Sequence, residues 1–198
     1  KKITLGYDPQ LFTKSNLKKK FNFNFDLKAI KKNLVDEVYS DNKIKSLKPF
    51  YILSEKIAGE KTSSKINRLI KIMKSKNVSN IFISAPENVA WLLNIRGSDN
   101  PYSPIPNCKI ILTNKKKIFF FSCPKKIYKM KKNKFYKDFT FCEYKDFSKI
   151  IDGIKGKNFS IDELTCSVSN EEIIRSKFKI KCFVDPCYSM KSIKNKSE

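Results

Sequence analysis

The residues best suited to chemistry in this chain stand together at positions 96–99, in the order RGSD. Arg96 offers a planar guanidinium that can bind a carboxylate through two parallel hydrogen bonds, and Asp99 supplies a carboxylate three residues later. Gly97 lies between them and allows the backbone to turn sharply. The segment is therefore predicted to be a contact loop. Two interpretations are open: Arg96 binds a carboxylate outside the loop, or it pairs with Asp99 and only fixes the loop.

A short apolar helix is predicted directly before this loop. Pro86 occupies a position where proline starts a helix well, and Val89, Leu92 and Leu93 can bury one side of it. Trp91 is the only tryptophan, and its apolar neighbours favour a place in the core over a ligand contact. The helix would thus anchor the loop to the protein interior.

Metal-binding and catalytic residues are not predicted within this chain. It contains no histidine, and its acidic pairs at 36–37, 162–163 and 171–172 are neighbours in sequence without a partner cluster. These acids are interpreted as solvated surface charges or as charges at helix ends. The six cysteines form no Cys-x-x-Cys pair, so free structural thiols are expected rather than a zinc ribbon or a disulfide framework.

The net charge of +23 raises the possibility of nucleic-acid binding. Residues 115–137 contain ten lysines, no acid and six aromatic residues, a mixture that could neutralise phosphates and stack on bases. However, 39 of the 42 cations are lysine, whereas specific recognition favours arginine. The chain is also rich in residues with A- and T-rich codons. A solvated lysine-rich surface is the preferred interpretation, and a nucleic-acid partner is not expected on these grounds.

Apolar periodicity predicts an α/β fold, a mixed β-sheet with helices on its faces. A strand at 2–7 and a helix at 9–20 come first and require a sheet that the remaining sequence does not supply, and residues 34–50 follow as a linker. The clearest later feature is a hairpin of 105–113 and 117–122, whose long apolar runs indicate burial on both faces. Further strands are predicted at 80–84, 140–144, 159–162 and 179–184, and further helices at 63–77, 124–132, 147–154 and 169–177. No run of about 18 apolar residues or secretory signal is visible, which predicts an intracellular protein without a membrane partner.

Several segments resemble the long, three-domain form of Xaa-Pro aminopeptidase (aminopeptidase P). The segments that carry this resemblance are 2–9 (KITLGYDP), 33–39 (NLVDEVY), 57–60 (IAGE), 96–99 (RGSD), 104–108 (PIPNC) and 190–198 (MKSIKNKSE). The resemblance implies the creatinase/prolidase N-terminal fold. It also implies a division into the end of a first creatinase-like domain, a linker, a second creatinase-like domain and the start of a pita-bread catalytic domain, at 1–33, 34–50, 51–188 and 189–198.

In that family, a two-metal site in the catalytic domain, holding manganese or zinc, releases an N-terminal residue that precedes proline. The resemblance implies that this region is the non-catalytic part of such a cytoplasmic enzyme. Its expected partners are its own catalytic domain, a second copy in a homodimer and the peptide substrate of the full-length protein. The residues expected to form an interface or to gate the substrate are Arg96, Gly97, Ser98, Asp99 and Tyr102. The alternatives are a lysine-rich nucleic-acid-binding module and the N-terminal domain of a prolidase or creatinase relative.

Overall fold

A computed structural model describes residues 3–21, 24–30, 32–38 and 48–197. The strands in this part of the chain are β1 (Ile3–Tyr7), β2 (Phe25–Ala29), β3 (Tyr51–Ile52), β4 (Asn80–Ile83), β5 (Ile95–Arg96), β6 (Lys109–Thr113), β7 (Ile118–Phe121), β8 (Thr140–Cys142), β9 (Asn158–Ile161) and β10 (Lys179–Cys182). The α-helices are α1 (Lys14–Lys20), α2 (Leu34–Val38), α3 (Glu55–Ala58), α4 (Thr62–Ser75), α5 (Pro86–Leu93), α6 (Tyr128–Lys132), α7 (Phe147–Gly153), α8 (Val168–Arg175) and α9 (Pro186–Ser192). Short 3-10 helices lie at Pro124–Lys126, Lys134–Tyr136 and Tyr144–Asp146.

The main sheet has six strands in the order β10-β9-β4-β6-β7-β8. Within the described part of the chain, β6 runs antiparallel to both of its neighbours in this sheet, and the other neighbouring strands are parallel to each other. Five strands therefore end at the edge where β6 begins, and we call this edge the carboxyl edge. The arrangement confirms the predicted α/β class with a mixed sheet and helices on its faces.

Both faces of the sheet are buried, as the long apolar runs predict. Along β7, Ile118 and Phe120 face one hydrophobic core, and Phe119 and Phe121 face the other. The first core receives residues of α4, α5, α6 and α9, and the second receives residues of α7 and α8. Since successive side chains of a strand point to opposite faces, a strand covered by helices on both sides needs apolar residues at every position.

The first segment of the chain differs from its prediction in two ways. The predicted helix at 9–20 begins only at Lys14, because Asp8 closes a turn at Gln10 and the Thr13 hydroxyl caps the helix by accepting from the Asn16 N–H at 3.0 Å. The expectation that β1 lacks a sheet partner is wrong, because β1 pairs in parallel with β2. The alternation of apolar and charged residues over 25–29 is the signal that would have indicated β2.

Segment 3–21 packs against the start of α8 through the backbone. The N–H of Val168 donates to the Phe12 carbonyl at 2.9 Å, and the N–H of Ser169 donates to the Pro9 carbonyl at 2.8 Å. These two bonds satisfy donors that the first turn of a helix otherwise leaves without a partner. These bonds therefore hold segment 3–21 against the first turn of α8.

One acidic side chain at this junction lies in the first turn of a helix, as one of the two interpretations of the acids predicts, but it is not solvated. Glu171 is fully buried, and its Oε1 accepts from Lys14 Nζ at 2.7 Å and from Arg175 Nη2 at 2.6 Å. Burial opposes its ionisation, but the hydrogen bonds and charges of the two cations outweigh that effect and lower the pKa of Glu171. Asp162 is also buried and accepts from the backbone N–H of Asp185 at 2.9 Å.

The predicted linker and domain limits fall partly outside the described residues. Within 34–50, the structure has the helix α2 and then residues 48–50, of which Phe50 is fully buried, while 39–47 lie outside the description. At the other end, α9 runs through the predicted limit at 188, and its Cys187 and Met190 are buried. All six cysteines are free, and burial raises the pKa of Cys166 to about 12, which keeps that thiol protonated.

Candidate functional site

α5 ends at Asn94, whose backbone has the left-handed conformation. The contact loop follows, and we use this name for residues 95–104. Asn94 has φ 51°, and its side chain accepts from Lys65 Nζ at 2.9 Å and donates to the Glu60 carbonyl at 2.8 Å. Lys65 is buried and lies with its Nζ 4.2 Å from the centroid of the Trp91 ring, which is itself only partly buried. The backbone then enters β5, where Arg96 pairs with Tyr51 of β3. The start of the loop is therefore held by α4, by the segment that precedes α4 and by β3.

Arg96 and Asp99 do not form the internal pair that was one of the two interpretations. Arg96 Nη1 donates to the carbonyl oxygens of Ile95 and Ala90, at 2.9 and 3.3 Å. The Oδ2 atom of Asp99 accepts from the backbone N–H of Asn107 at 2.8 Å, and its Oδ1 atom forms an ion pair with Lys126. The loop is thus fixed by Asp99 and Lys126, and Arg96 is bound to the end of α5.

Gly97 is required for close packing rather than for a positive φ. Its N–H donates to the Pro104 carbonyl at 2.9 Å, which joins the two ends of the loop. A Cβ atom at this position would lie 2.8 Å from Pro106 Cα and 3.1 Å from Asp99 Oδ2. The backbone of Pro106 cannot move away without displacing the strand that follows it.

We expect Gly97→Ala to lower the free energy of unfolding by about 1–2 kcal/mol, because the added methyl group overpacks the loop against Pro106. Urea denaturation measures this change. Gly153→Ala is the matched control, since nothing lies within 4 Å of a Cβ atom there and its φ is not in the left-handed region. Alanine at a helical position is expected to be neutral or slightly stabilising. Equal losses in both variants would contradict the close-packing explanation.

The outer side of the loop forms the wall of an open cleft of about 550 Å³. Tyr102 is 96% exposed, and Ser98 is also exposed. The residues lining the cleft are Lys48, Tyr51, Gly97, Ser98, Asn100, Pro101, Tyr102, Ser103 and Pro104. Its aromatic rings and polar side chains can bind a polypeptide or another polar ligand, and the lining contains no acid. Of the five predicted site residues, Gly97, Ser98 and Tyr102 line this cleft, while Arg96 and Asp99 do not line it.

The aromatic residues of 115–137 are not arranged for base stacking. Phe119, Phe120, Phe121 and Tyr136 are buried in the protein interior. Tyr128 and Phe135 remain partly accessible, at 46% and 39% exposure. Since single-stranded nucleic acid is bound by exposed aromatic rings, this geometry does not favour the nucleic-acid alternative.

Sequence reasoning did not identify the partners of Asp99. Lys126 belongs to the lysine-rich run interpreted as solvated surface, yet its side chain is only 7% exposed. No local signal distinguishes it from the adjacent Lys125. Asn107 contributes through its backbone, which is independent of residue type.

The two-metal site implied by the family resemblance has no counterpart among the residues described here. Over residues 3–21, 24–30, 32–38 and 48–197, no group of three or more His, Cys, Asp or Glu side chains is placed to hold a metal ion. The side chains of these residues therefore do not fit a two-metal site. No helix of this part of the chain is both long and apolar enough to cross a membrane.

Comparison with known protein families gives a match over most of the chain. The profile described as Creatinase/Prolidase N-terminal domain matches residues 41–198. A protein called probable Xaa-Pro aminopeptidase P, from Pyricularia oryzae, is 37% identical over 108 residues, which are 52% of this chain and 18% of that relative. A relative of the same name from Botryotinia fuckeliana is 35% identical over 107 residues, which are 51% of this chain and 16% of the relative. The chain thus spans less than a fifth of the length of these relatives.

Two solved structures share the fold. The X-prolyl aminopeptidase of Caenorhabditis elegans, described as a cytosolic enzyme with a di-nuclear active site, superposes with a TM-score of 0.85 at 24% identity. That match covers 100% of this chain and 34% of the worm protein. An Xaa-Pro dipeptidase from Bacillus anthracis gives a TM-score of 0.52 at 12% identity, over 69% of this chain and 38% of that protein. At 24% and 12% sequence identity, these structural similarities establish the fold.

Proposed function

Because this chain belongs to the creatinase/prolidase N-terminal domain family, we propose that it is the non-catalytic N-terminal region of a metal-dependent Xaa-Pro aminopeptidase. The observation that carries the proposal is the 35–37% identity to relatives called probable Xaa-Pro aminopeptidase P. The intact protein would release an N-terminal residue that precedes proline. Its manganese or zinc ions would be held in the catalytic domain, and its location would be the cytoplasm.

The proposed role of this region is to shape the entrance through which peptides reach the catalytic domain. The support for this role is the combination of an exposed rim and a fixed base. Tyr102 extends into solvent at 96% exposure, while Asp99 and Lys126 hold the loop beneath it, with side-chain exposures of only 13% and 7%. A rim that is held rigidly can select ligands by shape, because little conformational entropy is lost on binding.

The proposal also includes contacts with the protein's own catalytic domain and with a second copy in a homodimer. Three apolar side chains on or beside α9 are more than half exposed, namely Val184, Tyr188 and Ile193 at 54%, 59% and 77%. Burial of these exposed apolar side chains against another domain would remove them from water. Sedimentation of the full-length protein would measure the oligomeric state.

We expect Tyr102→Ala in the full-length protein to lower kcat/KM for Xaa-Pro peptides by about tenfold, or about 1.4 kcal/mol, through loss of an aromatic contact at the rim. The assay measures release of the first residue from peptides that differ in length, with Mn²⁺ or Zn²⁺ added. Tyr128→Ala is the matched control, because Tyr128 is an accessible tyrosine, 46% exposed, that does not line the cleft.

Two results would contradict different parts of the proposal. If the 198-residue chain by itself hydrolysed Xaa-Pro peptides, its non-catalytic role would be wrong. If the full-length protein cleaved these peptides but Tyr102→Ala and Tyr128→Ala had equal activity, the aminopeptidase assignment would be supported and the gating role would be wrong.

A further inference from the structure

A separate cavity of about 410 Å³ lies at the carboxyl edge of the main sheet. Lys109 at the start of β6, Phe121 at the end of β7 and Tyr144 just after β8 line one side of it. The first turns of α7 and α8 close the other side, where Phe147 and Asn170 line the cavity. Ligands of open α/β sheets bind preferentially at the edge where parallel strands end.

Lys109 is the distinctive group in this cavity. Its side chain is partly buried, and its Nζ lies 5.6 Å from the centroid of the Tyr144 ring. In the described part of the chain, no carboxylate is paired with this ammonium group. Burial lowers the pKa of Lys109, because removal from water disfavours the charged form of the amine.

The remaining lining suits an anion. It contains no acidic side chain, and it offers the hydroxyl group of Ser148 and the amide of Asn170 as donors. Lys145 also lines the cavity, but it pairs with Glu143 at 3.2 Å and both side chains are well exposed. Lys109 is therefore the cation whose charge is least compensated.

Part of the wall is apolar and aromatic, beside polar residues such as Gln10 and Asn107. Phe121 and Phe147 are almost fully buried, at 0% and 5% exposure, and the Tyr144 ring lies beside Lys109. The cavity volume falls within the range of small-molecule pockets, about 300–1,000 Å³. Such a pocket accommodates a small apolar or aromatic body together with one charged group.

We propose that this cavity binds a small organic anion, with its carboxylate or phosphate group on Lys109 and its apolar body against Phe147 and Tyr144. The site does not depend on the proposed aminopeptidase function. It also differs from the lysine-rich cavity at the opposite edge of the sheet, which has about 590 Å³ and is lined by Lys115, Lys117, Lys155 and Lys157. Those four lysines are exposed, so their charges are solvated and screened.

The test is a titration of the 198-residue chain with benzoate, phenyl phosphate and inorganic phosphate in physiological salt, followed by calorimetry and by amide chemical shifts. We expect saturable binding of benzoate or phenyl phosphate with one site per chain, and weaker binding of inorganic phosphate, which lacks the apolar body. The choice between benzoate and phenyl phosphate identifies the anionic group. Lys109→Met should weaken binding by about 10- to 100-fold, as expected for loss of a charged hydrogen bond. Lys115→Met is the matched control and should bind as the unmodified chain does.

If Lys109→Met fails to fold, the amide chemical-shift changes of the unmodified chain still locate the binding site. The largest shifts are expected at Lys109, Phe147 and Asn170. Shifts centred on 115–117, equal weakening by both lysine variants, or a response that does not saturate would overturn the proposal.

Discussion

Replacing Asp99 with alanine is expected to lower the free energy of unfolding by about 3 kcal/mol, because it leaves the Lys126 ammonium buried without its counter-charge. The two side chains are 13% and 7% exposed, so water cannot easily replace the lost carboxylate. The backbone N–H of Asn107 loses its acceptor in the same variant. The expected result is one of the largest single-residue effects outside the apolar core.

Urea denaturation of Asp99→Ala and of two further variants separates the possible causes. Glu143→Ala removes the partner of Lys145 from an exposed ion pair and is expected to change stability by less than about 0.5 kcal/mol. The double variant Asp99→Ala, Lys126→Met should recover part of the loss, because it removes the isolated buried charge. If Asp99→Ala and Glu143→Ala had equal stability, the ion pair would not be what fixes the contact loop.

Replacing Glu171 with glutamine is expected to lower the free energy of unfolding at neutral pH by about 2 kcal/mol, because the acceptor of the hydrogen bonds from Lys14 and Arg175 loses its negative charge while the volume is kept. Lys14 and Arg175 are 37% and 51% exposed, so water partly solvates their charges. The loss of stability is therefore smaller than for Asp99→Ala. Amide hydrogen exchange adds a local measurement. Protection of Val168 and Ser169 should fall, because their N–H groups bond to the first segment.

The pH dependence of this effect has a definite sign. The folded pKa of Glu171 is lowered from its ordinary value of 4.5, so its stabilising contribution is complete above that value. The contribution is lost as the pH falls through the folded pKa, and the stability difference between the two proteins should narrow below about pH 4.5. Glu172→Gln is the control, because Glu172 is exposed. A difference that stayed constant from neutral pH to well below 4.5 would contradict the role given to the Glu171 carboxylate.

The fold class and most of the elements that support the contact loop follow from local patterns in the sequence. The apolar runs of β6 and β7 indicated a doubly covered hairpin, and Pro86 marked the start of α5, because strand alternation, helix periodicity and helix starts are local properties. The family resemblance of 96–99 and its flanking segments came from the same local information. The strand β2 could also have been found in this way.

The pairing of charged side chains, in contrast, depends on how the helices and the sheet pack together. Lys14 and Glu171 are 157 positions apart, and Lys126 is one of 39 lysines that composition alone cannot tell apart. Gly97 is needed because Pro106 packs against it, and the sequence of the loop does not indicate this contact. Ion pairs and close contacts depend on distances between elements remote along the chain, and these distances exist only once the helices and the sheet have packed together.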